Sequence, residues 1–471
     1  MWFIALVVVA ALVLLAWRLT SVLTGAAGFI AHTVSTEVFT SGLALDRVIR
    51  ESLHGNPTLR ALAPVTRIDV DSDQRTVSVS ILGVVHARTI YRDRLGTLLV
   101  RGPRPPVGID TDATDVDAAP IVRTRPDPFP GVTGPVVATQ PPALAQALDN
   151  AFTVEAARRN TRAVVVTQAG RIVAERYADG IGPHTALPAF SVAKSVTSAL
   201  IGVLVRQGRL ELDQPAPVEA WQTPGDPRHE ITIEQLLRMT SGLATTETNT
   251  GLDDVTRILY TTHDMAAAAT SARLKHPPGT TYYYSSGNTL ILSSIIRDLA
   301  GGTATAVRDF AQAELFGPLA MTGTGFEHDA AGTPIGSTYL ISTARDLARF
   351  GLLYLHDGEL PSGRILPEGW VDLSRSQTLD SEYGAGWRPA SSKPAAERFR
   401  MHDVPADTYF AVGFMGQYIV VIPSHDLVIV RMGTSFGDIG HVDAIGELVR
   451  DIVAALDRAR PHLVTDRSDD E

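Results

Sequence analysis

The chain has 471 residues, a formal net charge of −10, 45% hydrophobic and 20% charged residues, and no cysteine. That length allows one large globular domain with additions, or two to three small ones. The composition excludes a thiol nucleophile, a disulfide framework and a Cys-ligated metal, and the acidic balance excludes nucleic acid as a partner, because neutralising phosphates needs an Arg/Lys excess.

Residues Met1 to Trp17 (MWFIALVVVAALVLLAW) are uncharged, apolar and free of Pro and Gly. As a helix rising about 1.5 Å per residue the run covers roughly 25 Å, just short of a ~30 Å hydrocarbon core. Arg18 can snorkel, and Leu19, Val22 and Leu23 extend the span into the far interface. A signal peptide is the rival reading, but nothing basic precedes the run. Residues 1–23 are therefore expected to be an uncleaved single-pass anchor in the cell membrane, with the rest of the chain extracytoplasmic. Arg18 alone carries the positive-inside signal.

Residues 24–101 are expected to hold an amphipathic helix near the membrane and then a small β unit, where Val65–Val100 alternates around an Asp-Ser-Asp-Gln turn. Residues 102–145 carry ten of the 29 prolines, too many for sheet or helix interiors, and read as a linker or wrapping arm. The main domain, 146–460, opens with a hairpin: Ala163–Thr167, a Gln-Ala-Gly-Arg turn, then Ile172–Tyr177. A helix-rich middle follows, then strands near 408–413, 416–422 and 426–432 and an amphipathic helix from about Asp443 to Leu456. Strands at both ends around helices predict one α/β unit whose sheet is completed by the C-terminus. The tail, 461–471, is acidic.

Of the 41 basic residues only Lys194, Lys275 and Lys393 are lysines. Lys194 stands in Phe190-Ser191-Val192-Ala193-Lys194, at the start of a segment with apolar residues at helical spacing up to Gly208. Residues i and i+3 share a helix face, so the Ser191 hydroxyl and the Lys194 amine can meet. A serine hydroxyl is a poor nucleophile and needs a neighbouring base; a buried lysine can serve, whereas arginine effectively never deprotonates. Downstream, Pro278-Gly279 leads to Tyr284-Ser285-Ser286-Gly287-Asn288 just before another apolar helix. There Tyr284 offers a phenol able to share a proton with the amine. Tyr282 and Tyr283 read as packing aromatics.

Four features in this order resemble the β-lactamase-related serine hydrolases: Ser-x-x-Lys, the Tyr-Ser-Ser loop after Pro-Gly, Leu236-Leu-Arg-Met-Thr-Ser-Gly-Leu243, and Ala344-Arg-Asp-Leu-Ala-Arg-Phe350. That family includes class C β-lactamases, DD-peptidases, carboxylesterases and nylon-oligomer (6-aminohexanoate-dimer) hydrolases. The resemblance covers roughly residues 146–457. It implies an α/β (α+β) fold of the β-lactamase/transpeptidase type, an antiparallel sheet flanked by helices with a helical subdomain. It also implies a serine acyl-enzyme in which Ser191, Lys194 and Tyr284 carry the catalytic roles.

Two departures narrow the reading. Ser286 stands where the lactamase and peptidase branches usually have Asn, and the chain contains no Lys-Thr-Gly, whose cation helps bind a penicillin or peptide carboxylate. The corresponding strand reads Tyr409-Phe-Ala-Val-Gly-Phe-Met-Gly-Gln417, which with Tyr-Ser-Ser looks closer to the nylon-oligomer hydrolase branch. Ser286 would be a hydroxyl partner near the cluster, and oxyanion donors would come from the Ser191 N–H and the strand edge at Gly413 and Phe414. The expected function is a membrane-tethered serine hydrolase acting on a small amide or ester, with no cofactor or metal. The alternatives are a DD-peptidase or β-lactamase, and a non-catalytic penicillin-binding-like scaffold. The thirteen His lack metal-ligand spacing.

Overall fold

The structure, a computed structural model, describes residues 2–100, 126–137, 142–248, 251–436 and 440–459. The remainder of the Pro-rich stretch and the acidic tail lie outside the described residues.

The chain begins with one helix, α1 (Trp2–Ser35), which runs without a break through the expected division at 23/24. Its two halves meet different surroundings. Trp2, Phe3, Leu12, Leu15, Trp17 and Leu19 are exposed, whereas Leu23, Ala27, Ile30, Ala31 and Val34 are buried. The buried set has i, i+4, i+7, i+8 spacing, a single apolar stripe. It packs on β2 (Thr76–Ile81) and β3 (Val85–Arg92), the centre of an antiparallel meander that also includes β1 (Thr66–Asp71) and β4 (Gly96–Val100). The helical stretch after residue 23 is thus interior structure, not a helix lying along a surface.

Buried polar contacts fasten this N-terminal part to the main domain. Glu37, just past α1, accepts from Arg162 Nη2 at 3.0 Å and from Ser52 Oγ at 2.8 Å. His32 Nε2 meets Glu327 Oε2 at 2.7 Å, and Glu327 Oε1 accepts from Thr36 Oγ1 and the Thr97 N–H. Within the Pro-rich stretch, Phe129 and Val132 are buried and Asp127 pairs with Arg349 at 2.5 Å, so this part wraps the domain. The Arg349 guanidinium and the Thr133 hydroxyl hold the Asp127 carboxyl down at about 2, against the upward push of burial.

The main domain starts with α2 (Pro142–Thr153), then β5 (Thr161–Gln168) and β6 (Arg171–Tyr177). In the middle lie the buried α3 (Ala193–Arg206), the half-buried α4 (Asp254–Thr261) and the buried α5 (Ser286–Ala300). After α6 (Ala344–Leu355) come β7 (Arg388–Pro389), β8 (Tyr409–Gly413), β9 (Gln417–Ile422), β10 (Leu427–Gly433) and α7 (Gly440–Ala459). The last strands complete one antiparallel sheet of order β7-β8-β9-β10-β5-β6, as the expectation of strands at both ends required.

Alternation along β5 explains the two layers. Val164 and Val166 join Leu144 and Leu148 of α2 and Val449 and Ile452 of α7 on one face. Ala163 and Val165 face the other way, with Ala193 and Val196 of α3 and Leu347 and Phe350 of α6. Successive side chains on a strand point to opposite faces, so an apolar run serves both layers. At Gly351 an added methyl would strike Val428, so α6 lies directly on the sheet.

His328, fully buried where the β meander meets the main domain, is held neutral: burial first, then the nearby Arg92, pushes it from 6.5 down to about 3. Its folded value lies below its unfolded one, so this contribution to stability is present above pH 6.5 and is lost as pH falls toward 3. We expect Tm to fall across that window in acid titrations, and His328→Gln to flatten the dependence. An equal slope in the variant would contradict this origin.

Candidate active site

The turn that carries Ser191 is fixed from both sides. The Ala189 N–H donates to the Leu340 carbonyl at 2.8 Å, and Phe190 takes φ of +47°, the left-handed region that a bulky residue normally avoids. Such strain costs of order 1–3 kcal/mol and persists only where surrounding structure imposes it. Here it turns the Phe190 ring edge-on to Phe414, centroids 5.6 Å apart, and starts the short 3₁₀ turn Phe190–Val192 that leads into α3.

One helical turn on, Lys194 is 3% exposed. Its Nζ lies 3.1 Å from Ser191 Oγ, 3.0 Å from Ser286 Oγ and 2.8 Å from the Ser337 carbonyl. Ser286 in turn donates through Oγ to Glu247 Oε1 at 3.1 Å, and its N–H donates to Glu247 Oε2 at 2.5 Å. A carboxylate at the first turn of α5 satisfies an N–H that the helix leaves unpaired and benefits from the helix dipole. The loop bearing Glu247 is laced to the same turn by Thr245 Oγ1 to Ser285 Oγ and Ser241 Oγ to Asn288 Oδ1, both 2.6 Å. This is what the Leu236–Leu243 motif builds. Its Gly242 has φ of +76° and sits against the His276 carbonyl, where a methyl would collide.

Tyr284 precedes the cap of α5 and meets Lys194 with the face of its ring, Nζ 4.8 Å from the centroid. A second cation stands over the same ring: Arg388, on β7, has its guanidinium carbon 5.4 Å from the Tyr284 centroid and 5.0 Å from that of Tyr383. Burial works against the charged Arg388, but Tyr284, Tyr282, Tyr383 and Glu382 outweigh it and its pKa rises. Burial drives the Tyr282 and Tyr383 phenols upward. Tyr383 packs edge-on to Tyr284, ring centroids 5.7 Å apart.

Gly413 closes β8 against the same turn, where an added methyl would strike the Ala189 carbonyl, and Phe414 follows. The structure therefore brings Ser191, Lys194 and Ser286 into hydrogen-bonding contact, sets Tyr284 over the amine, and places Gly413 and Phe414 beside the Ala189–Phe190 turn. Sequence reasoning missed Glu247, Ser337, Tyr383 and Arg388. Glu247, four residues past the Ser-Gly-Leu motif, offered a positional signal; Arg388 offered none. Among the described residues no three His, Asp or Glu side chains converge as metal ligands.

These features can be set beside known proteins. The Beta-lactamase family model matches residues 148–454. A 6-aminohexanoate-dimer hydrolase of Paenarthrobacter ureafaciens is 25% identical over 361 residues, covering 72% of this chain and 84% of that protein. In three dimensions the chain is similar to the "putative 6-aminohexanoate-dimer hydrolase" from Bacillus anthracis, with TM-score 0.56 and 21% identity over 70% of this chain and 90% of the other. It is also similar to EstCE1, a hydrolase with promiscuous acyltransferase activity, with TM-score 0.52 and 16% identity over 66% of this chain and 98% of the other. The fold is β-lactamase/transpeptidase-like. Together, the match over most of the main domain and the antiparallel sheet with its helices make this chain a member of the beta-lactamase family of serine hydrolases.

Proposed function

We propose that the chain is a membrane-tethered serine hydrolase that cleaves amide or ester bonds through an acyl-enzyme on Ser191. One observation carries this reading: the set of partners around Lys194 Nζ. The Ser337 carbonyl can only accept. Ser286 Oγ spends its own proton on Glu247, which as a carboxylate cannot donate, so it too accepts from Nζ. With its proton given up, the amine keeps two hydrogens for these acceptors and has one lone pair for the Ser191 hydroxyl, 3.1 Å away, so Lys194 is placed to act as the base.

In the mechanism, Lys194 and Tyr284 take the Ser191 proton between them, and Oγ attacks the substrate carbonyl. The oxyanion is held by backbone N–H groups at Ser191 and at the Gly413–Phe414 edge. Tyr284 passes the proton to the leaving nitrogen or oxygen as the carbon–heteroatom bond breaks. Water then attacks the acyl-Ser191, gives up its proton to the same pair, and Oγ is released reprotonated. The similarity to a relative named for hydrolysing 6-aminohexanoate dimer and the missing Lys-Thr-Gly cation favour a substrate other than a penicillin. The exposed apolar half of α1 supports the tether.

Wild-type and Ser191→Ala proteins assayed on p-nitrophenyl esters test the reading; full activity in the variant would sink it. Glu247 acts by positioning Ser286 and hence Nζ. Glu247→Gln keeps one acceptor but sets an NH2 against the Ser286 N–H. We expect kcat to drop roughly 10–100-fold with KM nearly unchanged, the range seen when outer-shell partners are removed. A change confined to KM would contradict a positioning role.

A further inference from the structure

The site is attached to the point where α1 leaves the protein. Exposure along α1 ends abruptly: Leu19 is 55% exposed and Leu23 only 6%. At that boundary Gly251 packs on Val22, a built Cβ lying 3.6 Å from its Cα, and Gly25 packs on Thr256 of α4. Tyr260, one turn further along α4, stacks edge-on with Phe29, so α4 runs beside α1 with its N-terminus toward the exposed half. The N-terminal turn of α4 holds the active-site loop: Asp254 Oδ2 accepts from the Thr246 N–H at 3.0 Å and from its hydroxyl at 2.8 Å. The next residue is Glu247, which holds Ser286. Glu247 and Gly251, four residues apart, are separated by no more than about 14 Å. Along the helix axis Val22 is only about 6 Å from Arg18, the first charge after the apolar run. Leu252, next to Gly251, is 50% exposed, and Phe414, on the turn beside Ser191, is 41% exposed.

We infer that this enzyme works on amphiphilic esters or amides dissolved in the bilayer that holds α1, taking them at the headgroup level beside Gly251–Leu252. This rests on the tethered-hydrolase reading. A continuous helix with no flexible joint fixes the height of the site, and α1 enters the core directly after its exposed half. A substrate lying in the same leaflet therefore meets Ser191 at high local concentration, whereas a freely diffusing solute gains nothing from the arrangement. The apolar Leu252 and Phe414 suit an acyl chain.

The test uses the full chain in phosphatidylcholine vesicles with two probes, methylumbelliferyl acetate in the water and methylumbelliferyl oleate in the bilayer. The oleate in protein-bearing vesicles should be cleaved roughly tenfold or more faster than the same ester supplied in protein-free vesicles. Equal rates from the two vesicle populations, with the acetate turned over, would overturn the inference and leave the hydrolase reading standing. Cleavage of neither ester would overturn the hydrolase reading, and release of the chain by an alkaline wash would overturn the tether. Because the chain has no cysteine, Leu252→Cys accepts a single environment-sensitive dye. Quenching of that dye by lipids labelled near the headgroup is expected; no quenching would place the loop outside the bilayer and contradict the inference.

Discussion

Replacing Lys194 by methionine, close in volume but without the amine, is expected to lower kcat/KM for ester hydrolysis roughly 10³–10⁴-fold, the scale on which members of a nucleophile–base unit act. The same loss is expected for Lys194→Arg, which keeps the charge. A simple electrostatic role would tolerate arginine, whereas a proton-accepting role does not. Tyr284→Phe keeps the ring over Nζ and removes only the hydroxyl; its expected loss is smaller, roughly 100-fold. Circular dichroism and thermal unfolding of each variant separate loss of chemistry from loss of fold. An arginine variant with near-normal turnover would contradict the role of the amine.

The second large effect is on stability. Arg162 of β5 is buried against Glu37, itself 1% exposed, and donates to Ser52 Oγ at 2.9 Å and to Glu51 at 3.2 Å. Arg162→Met leaves the Glu37 charge buried without its partner, which costs about 3–5 kcal/mol. For a chain of this length, whose unfolding entropy is about 1 kcal/mol/K, a fall in Tm of about 3–5 °C follows. Removing both partners, Arg162→Met with Glu37→Leu, should recover most of that loss, because no buried charge is then left alone. If the double variant were as unstable as the single one, the contact would matter for packing rather than charge. This joint decides whether the N-terminal part is a separable appendage, and its burial says it is not.

How far the sequence could be read depended on whether the deciding interaction was local. Ser191 and Lys194 are three apart, so helical spacing alone brings them together, and lysine scarcity marked the pair. The other two lysines confirm the contrast: Lys275 is exposed, and Lys393, also exposed, faces Glu397 at 3.8 Å. The β5–β6 hairpin and the late strands followed from alternation and apolar runs, and their pairing into one sheet followed from the order of elements. Glu247 was illegible because its role exists only once its loop reaches α5, nearly 40 residues away in the chain. Arg388 is one arginine among 38, and only the folded chain gathers Tyr282, Tyr284 and Tyr383 around it. The division of α1 was hidden for a different reason. Lipid and protein core select the same apolar residues, so hydropathy cannot tell where one ends and the other begins.

Ser191 is the residue on which everything converges, and it can be addressed chemically. A fluorophosphonate reacts with an activated serine hydroxyl to give a stable adduct. The full chain treated with such a probe, digested and sequenced by mass spectrometry should carry the label on the peptide containing Ser191, and Lys194→Met should suppress it. Label on another serine, or no label on active protein, would contradict the acyl-Ser191 mechanism.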